Sequence, residues 1–148
     1  MCFIGPLPSV LIIGFMDPEA FNGDFAKSAF KFNHNDLDSI EIQVDNLPIV
    51  NHPLKMKGSN GNEFFWNYLK NTNRFLNMYS NGSLSYTNYM EDNFLIFSNL
   101  KNDGHKHGQL TVKLKFKEVL SAKLFCIMVP VYEKKIVYDA YFNAQIQQ

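Results

Sequence analysis

The apolar residues of the chain fall into short runs and alternations that predict strands far more often than helices. Val10–Met16, VLIIGFM, is continuously apolar, which suits a strand buried on both faces. Gly14 inside it marks a bulge or a close backbone approach. Ile40, Ile42 and Val44 alternate with Glu41, Gln43 and Asp45, the period of a half-buried strand. Asp45–Pro48 reads as a turn into a short strand at residues 49–51. Phe94–Phe97 predicts another strand. Leu110, Val112, Leu114 and Phe116 alternate with Thr111, Lys113, Lys115 and Lys117, the clearest strand pattern in the chain. Lys123–Tyr132 is apolar on both faces, and Ile136–Tyr138 follows a turn at residues 133–135.

One segment keeps a helical period. Across residues 60–76, Phe65, Leu69 and Leu76 fall near one face with Tyr68 and Phe75 beside them. Asn62 is placed to cap this helix and Glu63 to sit in its first turn. Residues 80–83 and 101–108 read as turns, and Tyr86–Met90 as a single helical turn. Asp17–Leu37 shows no period, and a loop of that length in a compact domain points to a functional or interface role. Seven or eight strands follow one another without alternating helices, so the pattern predicts an all-β sandwich or barrel with one inserted α-helix at about residues 62–76.

Composition narrows the function classes. The 148 residues suffice for one domain, and 46% hydrophobic with 15% aromatic content supplies a core. Fourteen basic residues balance 14 acidic ones, so no net field draws the chain to nucleic acid or an anionic membrane. No apolar run approaches the roughly 20 residues of a membrane span. Of the two cysteines, Cys126 lies in an apolar run and reads as a buried free thiol.

Catalytic patterns are hard to find. His105 and His107 flank a lysine in a loop tip, where two imidazoles share one side of an extended segment, but a third metal ligand is missing. They are the only metal candidates, and the pattern implies no metal and no cofactor. Asp17, Glu19 and Asp24 share a loop with Phe21 and Phe25, which predicts that this loop packs down on its aromatics instead of lining a polar cleft. No G-x-S-x-G or P-loop occurs, so catalytic residues: none. Lys113, Lys115 and Lys117 make a basic stripe that reads as a solvent face or a contact for phosphates or an acidic partner. Phe64, Phe65, Trp66 and Tyr68 exceed what one helix face buries. The two-sided run Leu124–Val131 likewise requires a cover, from the long loop, the helix or a neighbour.

Residues 3–49, FIGPLPSVLIIGFMDPEAFNGDFAKSAFKFNHNDLDSIEIQVDNLPI, resemble a segment of the double jelly-roll major capsid proteins of Polinton (Maverick) elements and adintoviruses. The resemblance rests on Gly5, Pro8, Asp17, Glu19, Ala20, Phe21, Asn22, Gly23, Phe30, Phe32, His34, Val44 and Asp45. Downstream, FFWNYLKNTNRF stands where that family has a Tyr- and Leu-rich helix, and residues 108–139 are similar to its closing strands. The chain departs from the family pattern at Ser98–Asp103 and after Asp139, where Ala140-Tyr141-Phe142 replace an arginine segment.

The resemblance covers most of the second roll only. It leaves an N-terminal strand of that roll unaccounted for, unless Met1–Leu7 supplies it. It implies a single antiparallel jelly-roll β-sandwich over residues 1–148 that acts in a virion shell by self-assembly. The partners would be copies of itself in a trimer-type capsomer, or other capsid subunits. Nucleic acid contact would be non-specific at most. Phe21, Phe25, Phe30 and Trp66 are the expected subunit contacts, although core burial explains each equally well. The rival readings are a jelly-roll binding module for a glycan or protein ligand and a cupin-like metal enzyme, which the absence of histidine from the predicted strands disfavours.

Overall fold

The computed structural model describes residues 2–49, 52–57, 60–76, 84–100, 107–120, 123–133, 135–138 and 144–147. The chain is mostly β, built as antiparallel sheets packed on a shared core. Strands β1 (Cys2–Pro6), β3 (Leu37–Val44), β4 (Leu47–Pro48), β5 (Leu54–Lys55) and β7 (His107–Phe116) form one sheet, in the order β1-β7-β3-β4 with β5 also on β3. Strands β2 (Val10–Met16), β6 (Leu95–Asn99) and β8 (Phe125–Val131) form the second, with β2 in the middle. A separate antiparallel pair joins β9 (Lys135–Tyr138) to β10 (Ala144–Gln147).

Side-chain alternation explains the packing. Leu11, Ile13 and Phe15 of β2 and Ile40, Ile42 and Val44 of β3 turn inward, with Leu110 and Val112 of β7 and Ile96 of β6. Burying each such side chain stabilises by roughly 1.5–3 kcal/mol relative to leaving it exposed. The outward positions of β7 from His107 to Lys115, and Glu41 and Gln43 beside them on β3, are polar. Lys113 there stands opposite Glu41 across the β3–β7 register, and Lys115 Nζ lies 2.9 Å from Asp38 Oδ2.

Several sequence expectations shift. The turn after β3 is a two-residue hairpin, with Asp45 and Asn46 both at positive φ (50° and 68°), so β4 begins at once at Leu47. That conformation suits Asp and Asn and matches the twist of the strands it joins. The expected strand at residues 49–51 is displaced: Ile49 is buried but outside any strand, residues 50 and 51 are outside the described residues, and β5 comes later. Cys2–Pro6, unassigned by pattern, is an edge strand on β7.

Three helices stand among the described residues, α1 (Pro18–Phe21), α2 (Asn62–Leu76) and α3 (Tyr86–Asp92), where one helix and a helical turn at Tyr86–Met90 were expected. α2 has the expected bounds but a different start. The Gly61 carbonyl accepts the first helical bond from Phe65 N, and Asn60 Oδ1 accepts from Asn62 N, so Asn60 and Gly61 do the capping expected of Asn62. Its buried face is also rotated. Phe64 is fully buried and Asn71 nearly so, while Phe65, Tyr68 and Leu69 are half-buried.

α2 packs along β6 and touches β5, so it closes one side of the sandwich from sheet to sheet. Rings knit that side together. Phe64 and Phe94 have centroids 5.3 Å apart, Tyr89 and Phe94 5.3 Å, and Tyr68 and Tyr89 5.0 Å. Each such pair adds about 0.5–1.5 kcal/mol beyond its buried area.

Candidate interaction surface

The opposite side of the sandwich is built from two apolar edge strands, β1 and β8. β8 pairs only with β2 among the described strands, and residues 124–132 carry no charged side chain. Natural sheets usually blunt such an edge with lysine, proline or a bulge, because an unpaired apolar edge invites another strand. Pro130 supplies the one such device here. Phe125, Val129 and Tyr132 are 38%, 48% and 48% exposed, so the two-sided apolar run is only partly covered within the chain.

Between the two edges lies an apolar cavity of about 200 Å³. Phe3 and Leu7 line one wall, Met128, Pro130 and Tyr132 the other, and Leu11 and Leu110 the floor. Phe3 faces it because its register partner on β7 is the inward Leu110, and Met128 because its partner on β2 is the inward Ile13.

The cover over the outer face of the smaller sheet comes from the long segment after β2. Phe32 does this work. A Cβ at Gly14 would stand 2.8 Å from Phe32 Cδ1 and 2.8 Å from Leu95 Cδ2, so only glycine lets the ring and β6 approach β2 this closely. Phe32 N also donates to Asp92 O, and Phe94 N to Phe32 O, pinning the segment to the end of α3. Gly14 in an apolar run was the sequence signal for this approach.

The rest of that loop does not pack down as expected. Residues 21–30 are all exposed, Phe25 and Phe30 almost wholly. Phe21, 58% exposed, meets Phe125 of β8 edge-on at 5.3 Å. The loop is held by charge instead. Lys27 Nζ binds Asp17 Oδ2 at 2.7 Å and Glu19 Oε2 at 2.5 Å, while Asp17 Oδ1 caps α1 through Glu19 N and Asp24 Oδ1 accepts from Ala26 N. The hydrogen bond from Lys27, followed by that from Glu19 N, holds the Asp17 carboxyl below its ordinary range, and the two acids raise the Lys27 ammonium. All three carboxylates are therefore committed to loop structure.

Trp66 of α2 is 69% exposed, so Phe21, Phe25, Phe30 and Trp66 all present aromatic surface to solvent and none belongs to the core. Lys113 and Lys115 of the basic stripe share one face of β7 and have acidic neighbours on β3: Lys113 stands opposite Glu41, and Lys115 is paired with Asp38. His107 starts β7 in an exposed position, and His105 is outside the described residues. Among the described residues no three His, Cys, Asp or Glu side chains gather to hold a metal ion, and no helix is long and apolar enough to cross a membrane. Cys2 is exposed and Cys126 half-buried, both as free thiols, with burial pushing the Cys126 thiol up.

Sequence reading missed the cavity and the place of Tyr132 in it. Phe32 was among the residues carrying the family resemblance and Met1–Leu7 stood as a possible strand, while Gly14 signalled a close approach without naming its partner. No family model, curated protein or solved structure matches the chain.

Proposed function

We propose that the chain is a shell-forming structural subunit of the jelly-roll kind, acting by association with copies of itself. The observation that supports this most is the uncharged β8 edge with Phe125, Val129 and Tyr132 exposed on it. Such an edge gains most by pairing with, or packing against, another apolar surface. The exposed Phe21, Phe25, Phe30 and Trp66 add further aromatic area of the type enriched in protein–protein interfaces. The resemblance of residues 3–49 to Polinton and adintovirus capsid proteins supplies the class of assembly, a trimer-type capsomer within a virion, or contact with other capsid subunits.

Size-exclusion chromatography with light scattering tests this reading. A trimer or larger closed ring is expected; a monomer across the accessible concentration range contradicts it.

The apolar cavity between β1 and β8 favours a second reading, a binding module that does not assemble. Its apolar walls suit a hydrophobic segment of a protein ligand better than a glycan, which needs convergent polar groups. That module would stay monomeric and melt at a higher temperature with its ligand bound.

A further inference from the structure

We propose that His52 is an acid-sensitive latch between the two sheets, on the side that α2 closes. Its ring Nδ1 lies 3.3 Å from the Ile40 carbonyl oxygen of β3, and its Nε2 lies 3.2 Å from Ser98 Oγ of β6. A carbonyl only accepts, so Nδ1 carries the proton of the neutral ring. Nε2 is then the acceptor, and the Ser98 hydroxyl donates to it. Ser98 is 1% exposed, so its hydroxyl has no water to turn to. One imidazole thus joins strands of different sheets.

Protonation breaks this arrangement. With a proton on Nε2 both ring nitrogens donate, so the Ser98 oxygen becomes an acceptor and its own O–H loses its partner in a buried site. The surroundings do little to welcome the charge. β3 contributes Glu41, which favours the cation. β6 carries no ionisable side chain, Lys55 of β5 is exposed, and α2 sets the neutral Asn71 amide against the Phe97 carbonyl. Burial outweighs the hydrogen bond to the Ile40 carbonyl and the charge of Glu41, and holds the ring below its ordinary value of 6.5.

The unfolded chain therefore takes up this proton near 6.5 and the folded chain only at lower pH. In that interval the unfolded state binds more protons, so stability is complete above 6.5 and falls as the pH drops through the interval. The sheets loosen first where β3, β5 and β6 meet, and the β2–β8 pairing is untouched.

Nuclear magnetic resonance on the full chain tests the latch directly. The His52 ring is expected to titrate below 6.5. From about pH 7.5 to pH 5, after correction for intrinsic exchange rates, the amides of Ile49 and Met56 are expected to lose protection while those that join β2 to β8 keep theirs. In His52→Gln the acid-side fall in melting temperature is expected to flatten. Titration at or above 6.5, an equal loss of protection in both regions, or an unchanged acid slope in His52→Gln overturns the proposal. Should His52→Gln fail to fold, the wild-type titration and exchange pattern decide the matter.

Discussion

The two free edges of the three-stranded sheet end differently. At β6, two main-chain carbonyls that face away from β2 are taken by side chains from the helices: Tyr89 Oη donates to the Leu95 carbonyl at 3.0 Å, and Asn71 Nδ2 to the Phe97 carbonyl at 3.2 Å. His52 then ties the same strand to the other sheet through Ser98. At β8, pairing alternation turns the main-chain groups of Cys126, Met128 and Pro130 outward, and no described strand or helix takes them up. Both edges are apolar in sequence. What separates them is cover, and cover depends on α2 and α3, which pack on one side only. An open edge of this kind is where the proposed association would take place, whereas the covered edge contributes to the stability of the single chain.

The contrast can be broken from the covered side first. Phe64→Ala empties a fully buried site between α2 and Phe94 and is expected to cost about 3–5 kcal/mol in urea unfolding. A loss below about 1 kcal/mol would mean that α2 does not close the sandwich as described. Tyr89→Phe keeps the ring and removes the hydroxyl that caps Leu95, so a smaller loss of about 1–3 kcal/mol is expected from the same measurement. On the exposed loop, Phe25→Ser and Phe30→Ser are expected to leave unfolding within about ±0.5 kcal/mol. If either destabilises the isolated chain, those rings are anchors after all.

Strong local periodicity made much of the architecture legible. β2, β3 and β7 were visible as an apolar run and two alternations, and α2 was visible with its bounds. The misses have physical causes. The rotation of α2 onto Phe64 depends on Phe94 and Tyr89, which are distant in sequence. β4 was hidden because it ends in Pro48 on a sheet margin, where a missing amide costs little. Phe25 was read as a ring on which the loop packs down, because phenylalanine is usually buried, and nothing local in the sequence says that Lys27 holds the loop instead. His52 stands 46 residues from Ser98, so its bridging position is a property of the fold alone.

The central claim, that the open β8 side exists to meet other copies, is tested most directly by one substitution followed by sedimentation. Val129 is exposed on that strand, so Val129→Lys adds a charged barrier with little expected effect on the folded chain. The account expects wild type to sediment as a trimer or larger species and Val129→Lys as a folded monomer with an unchanged circular dichroism spectrum. A monomeric wild type, or assemblies that survive Val129→Lys intact, would contradict it.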